Sequence, residues 1–270
     1  MNTLPQELTF SCSPVELFTL ASLLGGVMLV GVPDPFPGWL TEEIEAAMQA
    51  ARKTLAERGH LTLRPDGQVV MDVATAALVG TLVAPRAVFL LTEATPDKAP
   101  RQWACYHRPP LTVLLESEGE ALSLKPLEGQ SALFEQVVSA WQLGVQKAVR
   151  AETLSLPESA MQSEREARTA GEAAMQNALQ QAGAGAKNAR ALARTLSASR
   201  RSGALVAMRP RENSWETGGL GMLDGENGLW LLRSFTRQQA DWVELIPCSA
   251  QKLSAEIEML LKHFLPQQEA

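Results

Sequence analysis

Two blocks of this chain repeat one order of elements, four short strand-like runs and then an amphipathic helix, and that order restricts the fold more than any other feature. In the first block the runs are Ala87 to Thr92, Gln102 to His107, Leu111 to Glu116 and Ala121 to Leu127, followed by a helix expected from Ser131 to about Val149. In the second they are Ala204 to Arg209, Thr217 to Leu223, Leu229 to Phe235 and Trp242 to Pro247, followed by a helix from Ser249 to about Phe264. The links between runs are short and rich in proline, glycine or polar residues. Such links suit an antiparallel meander, because parallel crossovers need a dozen or more residues. Helical material precedes each block. Two sheets whose apolar faces are covered by helices hide their edges best by joining, so an α+β fold is predicted. Its expected form is a central antiparallel sheet with two flanking helical bundles and halves related by an approximate two-fold axis.

The helical stretches carry their own signals. Ser13, Pro14 and Glu16 form a capping sequence before the apolar run Leu17 to Val32, whose glycines at 25, 26 and 31 end a packed helix. A second helix follows Thr41, with the stripe Ile44, Ala47, Met48, Ala51 and Leu55 and a stop at Gly59. Leu61 to Met71 reads as a hairpin turning at Asp66-Gly67, and a short helix follows from Asp72 to about Val83. The helix after the first strand block has the stripe Leu133, Phe134, Val137, Val138, Trp141 and Val145; the terminal helix has Leu253, Ile257, Leu260, Leu261 and Phe264. Between the blocks, Glu152 to Arg201 is rich in Ala, Gln, Glu and Arg. One or two helices with a break near Ala182 to Ala186 are expected there, with part of the stretch lacking order. The expected division is residues 1–150, an N-terminal α+β half; 151–202, a helical segment belonging to the second half; and 203–270, a sheet-plus-helix block.

Chemistry finds little support. The 24 basic and 30 acidic residues leave a net charge of −6 with no basic tail, which gives no reason to expect nucleic acid or an anionic membrane as partner. Cys12, Cys105 and Cys248 are far apart and odd in number, which suits a reducing, cytoplasmic setting. The start, Met1 to Gln6, carries no export signal, and no run reaches the length of a membrane span. Cys105 and His107 share one face of a strand, so a thiol–imidazole pair in a small-molecule enzyme is one alternative; core packing is the other. No compact Cys/His set completes a metal site, and no cofactor is expected. Gly218-Gly219-Leu220-Gly221 lacks the spacing of a phosphate loop and reads as a closely packed strand, while Asp224 to Gly228 reads as a turn. Trp242 is expected in the core, Trp230 in either setting, and Trp215 exposed within the polar connection Pro210 to Glu216. A structural homo-oligomer built through the middle helices, Met161 to Leu196, is a further alternative.

Several segments together resemble the EspG family, cytosolic chaperones associated with type VII (ESX) secretion. They are the leucine-rich helix Leu17 to Leu24, Val30-Gly31-Val32-Pro33, the helix Thr41 to Arg58 ending before Gly59, the strand with Gly218-Gly219-Leu220-Gly221, and Trp242-Val243-Glu244-Leu245-Ile246-Pro247 before the terminal helix. The resemblance implies a non-catalytic chaperone or adaptor. Its partner would be a helical protein client of PE/PPE type, held by the tip of the PPE subunit against a strand-connecting loop and the C-terminal helical group. Carried onto this chain, the surface comprises Arg209, Arg211 and Trp215; Asp224, Glu226 and Asn227; and Lys252, Glu256 and Met259 on the outer side of the last helix.

Overall fold

The computed structural model describes residues 9–265 apart from 27, 120, 161–170 and 238. In chain order the first half contains β1 (Phe10–Cys12), α1 (Pro14–Leu23), α2 (Thr41–Glu57), the hairpin β2 (Leu61–Leu63) and β3 (Val69–Met71), and α3 (Val73–Val83). It continues with β4 (Ala87–Ala94), β5 (Arg101–Arg108), β6 (Leu111–Glu118), β7 (Ala121–Leu127) and α4 (Gly129–Ala140). The second half contains β8 (Leu154–Pro157), α5 (Glu172–Gln181), α6 (Ala186–Ser197), β9 (Ser199–Pro210), β10 (Trp215–Gly225), β11 (Gly228–Arg237), β12 (Ala240–Cys248) and α7 (Ala250–Phe264).

Ten of the described strands form one antiparallel sheet in the order β1-β7-β6-β5-β4-β9-β10-β11-β12-β8. Outward from the β4–β9 seam each half runs the same way. A four-stranded meander comes first, and then an edge strand that precedes the helical stretch in sequence. Antiparallel pairing from Val88↔Met208 to Ala94↔Ser202 closes the seam, so neither meander leaves its first strand as a bare edge.

Side-chain alternation sorts the core into layers. Phe89, Leu91, Cys105, Leu205, Ala207, Met222 and Leu231 face α4 and α7 in a cluster to which both halves contribute. Their sequence neighbours Val88, Ala104 and Tyr106 face the opposite way, packing with Leu17, Leu20, Leu55, Leu78 and Leu82 of α1 to α3. On that same side of the second half, Leu223, Trp230, Val243 and Leu245 pack with Met175, Leu179, Leu192 and Leu196 of α5 and α6. The α+β sheet with helical flanks follows from this alternation.

Local signals set the helix starts. Ser13 Oγ accepts from Glu16 N (3.1 Å) while Glu16 Oε2 accepts from Ser13 N (2.8 Å), the expected capping box. Asp72 caps α3 by accepting from Ala74 N and Thr75 N, and Ser249 caps α7 by accepting from Lys252 N.

Four expectations need correction. First, α4 stops at Trp141 rather than Val149. Gln142 adopts a left-handed backbone (φ 47°), and Gln142 N and Leu143 N bond back to Ser139 O and Val138 O, a Schellman-type ending that leaves Val145 95% exposed. Second, the middle segment opens with the edge strand β8, paired with β12 from Leu154↔Leu245 to Pro157↔Trp242, where helix was expected. The expected break is present, because Gly183 (φ 99°) separates α5 from α6. The expectation of missing order falls partly on 161–170, outside the described residues. Third, β9 begins at Ser199, five residues ahead of the expected Ala204, because it continues pairing with β10. Fourth, Trp242 is half-buried at the margin of the sheet rather than in the core, while Trp230, for which both settings were open, is fully buried. Of the stretch Met161 to Leu196 considered for a homo-oligomer, 161–170 lie outside the described residues, and Met175, Leu179, Leu192 and Leu196 are buried against their own sheet.

Candidate functional site

At one end of β9 and β10 an ionic cluster ties the hairpin to the last helix. Glu216 accepts from Arg209 Nε (3.1 Å) and Nη2 (2.8 Å), contacts the Arg211 guanidinium, and lies 3.1 Å from His263 Nε2 of α7. The Arg209 hydrogen bonds, aided by those from His263 and Arg211, hold the Glu216 carboxyl down to about 2. The Arg209 guanidinium also lies 5.7 Å from the Phe264 ring centroid.

Trp215, the neighbour of Glu216, points to the other face of the sheet. Cross-strand partners share a face, and the pairs Trp215↔Pro210, Thr217↔Met208 and Gly219↔Val206 place these residues together. Here the sheet is bare, with Trp215 42% and Val206 37% exposed and Thr217 and Gly219 exposed as well. Farther along β10, Leu223 packs under α5 and α6, and a Cβ on Gly225 would lie 2.7 Å from Thr195 Cγ2 of α6. The uncovered strip therefore runs between the α1–α3 group and the α5–α6 group, with an aromatic ring at its open end. The run Gly218-Gly219-Leu220-Gly221 belongs to this strand. A Cβ on Gly218 would meet Phe264 at 2.8 Å and one on Gly219 would meet Leu205 O at 2.9 Å, so close packing accounts for both glycines.

The other expected contact residues lie elsewhere. Asp224, Glu226 and Asn227 sit at the far end of β10. Asp224 is buried; burial pushes its carboxyl up, opposed by Arg201 and Arg200. The Asn227 amide donates to Ala191 O (3.0 Å), and its Oδ1 lies 2.7 Å from Thr195 Oγ1, which also accepts from Trp230 Nε1 (3.0 Å). Of the three, Glu226 alone is exposed. On α7, Lys252 and Met259 are exposed and Glu256 contacts Arg233 of β11. These α7 positions share a helix face, but α7 covers the side of the sheet opposite Trp215. The expected set is thus distributed over two faces and two ends. Gly219 and Val206, which accompany Trp215 and Thr217, were missed, because their common face depends on the β9–β10 register.

Cys105 and His107 do share a face, yet the surroundings oppose nucleophilic chemistry. Burial, with the nearby Glu116 charge, pushes the Cys105 thiol up to about 12. Burial lowers the His107 pKa, and its Nδ1 lies 2.9 Å from Thr112 Oγ1. Among the described residues no group of three or more His, Cys, Asp or Glu is placed to hold a metal ion. No described helix is long and apolar enough to cross a membrane.

Comparison with known proteins supplies what this geometry lacks. The sequence model of the EspG family matches residues 13–259. Among solved structures, a chain in the complex of the Mycobacterium tuberculosis type VII secretion system chaperone EspG5 with a PE25–PPE41 dimer overlays with a TM-score of 0.66 at 14% identity, covering 97% of this chain and 99% of that one. The structure of HtdX from Mycobacterium tuberculosis, also 14% identical and covering 88% of this chain and 99% of that one, overlays with a TM-score of only 0.16 and carries no weight. No curated protein sequence matches significantly.

Proposed function

The chain belongs to the EspG family, and from that premise we propose that it is a non-catalytic, cytoplasmic chaperone or adaptor for a helical protein client of PE/PPE type. The observation that carries the reading is the family match from residue 13 to 259, which takes in every described strand of the sheet except β1 and nearly all its helical flanks. The structure of the similar EspG5 chaperone in complex with a PE25–PPE41 dimer supports the choice of client.

The bare strip suits such a client physically. Its floor of Val206, Thr217 and Gly219 is flat because glycine adds no side chain, so a client helix can approach the sheet closely between the two helical groups. Trp215 supplies a large apolar anchor that loses little entropy on docking, and Arg211 supplies a polar rim. The outer stripe of α7, Lys252, Glu256 and Met259, is convex and lies on the other side.

Co-expression with PE/PPE pairs from the source genome, followed by gentle affinity capture, tests the function. A stable complex with one pair is expected. Recovery as a free monomer beside every pair overturns the reading. Within a complex, Trp215→Ala is expected to weaken binding by roughly thirtyfold, the loss of a large aromatic anchor. Met259→Ala is expected to change it by less than about threefold. The reverse result moves the surface to α7.

A further inference from the structure

The molecule carries a second open surface, a cleft of about 920 Å3 at the far end of β10, between the start of α6 and the segment 147–150. Its walls present five cations, Lys147, Arg150, Lys187, Arg190 and Arg194, against one carboxylate, Glu172. The concentration is notable in a chain whose net charge is −6.

The fold holds these cations in place without neutralising them. Lys187, Arg190 and Arg194 are exposed along one side of α6, whose other side is fixed by buried Ala189, Leu192, Ala193 and Leu196. Across the cleft, the segment bearing Lys147 and Arg150 is pinned to β11, where Leu229 N donates to Lys147 O (2.9 Å) and Ala148 bridges to Leu229. Outside the cleft, five arginines have carboxylate partners: Arg58 pairs with Glu16, Arg201 with Glu93, Arg209 and Arg211 with Glu216, and Arg233 with Glu256. None of the five cleft cations forms an ion pair with another described residue. The start of α6 adds positive potential, since Gly185 at its N-cap offers no side-chain acceptor.

We propose that this cleft binds an acidic polypeptide segment of a protein partner. The spacing selects that chemistry over a compact anion. Lys187 to Arg194 spans roughly 10 Å along the helix, at about 1.5 Å per residue, with Lys147 and Arg150 on the facing wall. One phosphate reaches only part of such an array. A helix or strand bearing several Asp or Glu residues matches its length, and long solvated side chains accommodate it with little desolvation. The cleft lies the length of β10 from Trp215, roughly 35 Å at about 3.3 Å per residue, so its occupancy does not rest on the client reading.

Fluorescence anisotropy of a fluorescein-labelled deca-glutamate peptide, titrated with the full chain at low ionic strength, tests the proposal. Saturable binding that weakens toward physiological salt is expected. The triple variant Lys187→Ala, Arg190→Ala, Arg194→Ala should bind roughly tenfold more weakly, as three exposed ion pairs are lost. Lys53→Ala and Arg64→Ala, on the other half, should bind as the unaltered chain does. Should the triple variant melt early, Arg190→Ala and Arg194→Ala singly carry the test, each with a smaller loss in the same direction. Absence of saturable binding, or an affinity indifferent to these substitutions, overturns the proposal. So does tighter binding, at equal charge, of inorganic polyphosphate or of single-stranded DNA, the first marking a phosphate site and the second a nucleic-acid site.

Discussion

Cys12, Cys105 and Cys248 are all buried, and in each case burial is the main reason the thiol stays protonated, pushed up to about 12, 12 and 11 respectively. At pH 8 a thiol with a pKa near 12 is thiolate in about one molecule in ten thousand, and thiolate is the form that attacks disulfide reagents. We therefore expect no fast reaction of the native chain with Ellman's reagent at pH 8 and three equivalents after unfolding in guanidinium. A rapid native equivalent would mean that one thiol is open to solvent. The same shifts set a direction with pH. Above pH 9 the unfolded chain loses thiol protons that the folded chain keeps, so the contribution of these groups to stability is complete below that pH and declines toward pH 12. Equilibrium unfolding at pH 8 and pH 10 should show the decrease, and a Cys105→Ala variant should show less of it.

Glu216 joins the β9–β10 hairpin to the C-terminal turn of α7, which also meet through apolar contact, the Arg209–Phe264 stack and a bond from Arg209 Nη1 to His263 O (3.4 Å). Its carboxyl is held down to about 2, so the ion-pair contribution is complete above the ordinary carboxylate value near 4.5 and is lost as pH falls from there to about 2. Glu216→Gln keeps the shape and removes the charge. The protection factor at the last turn of α7, around Leu261 to Leu265, taken relative to intrinsic exchange at each pH, should then fall at pH 7 toward that of the unaltered chain at pH 2.5, with the sheet still protected. Equal protection in both proteins at pH 7 would show that the turn holds without the Glu216 charge. This tie also marks what could be read in advance. The starts of α1, α3 and α7 were legible because a capping residue is a local signal, and the eight meander strands because their alternation and turns are local too. The end of α4 was not, since the stripe continues to Val145 while a left-handed Gln142, an uncommon residue for that role, stops the helix. Nor was the split of the expected contact residues. Trp215 and Glu216 are neighbours in sequence, but which of them faces α7 depends on a strand register that pairs residues across the hairpin.

At the scale of the molecule, the two similar halves do not amount to two independent folds. Residues 1–150 contain a complete meander and its helix, yet several groups in this half reach the native state only against the second. Trp141 of the first half donates its indole N–H to Thr92 O (2.9 Å) over Gly203 of the second, where a Cβ would lie 2.3 Å from the indole nitrogen. Glu93, buried, pairs with Arg201 at 3.1 Å, and Phe89 and Leu91 share a core with Leu205 and Ala207. Cutting at 150 strips β4 of its partner, leaves Glu93 uncompensated beside apolar surface, and exposes one face of the common core. Residues 1–150 expressed alone are expected to aggregate or to retain helix signal without fixed aromatic packing. The whole chain, in contrast, should unfold in a single transition that tryptophan fluorescence and circular dichroism report at the same denaturant concentration. A well-dispersed proton–nitrogen spectrum and cooperative melting from the first half alone would establish that the β4–β9 seam joins two finished domains. The common cluster under α4 and α7 argues for the opposite result, because the same side chains complete the interior of both meanders.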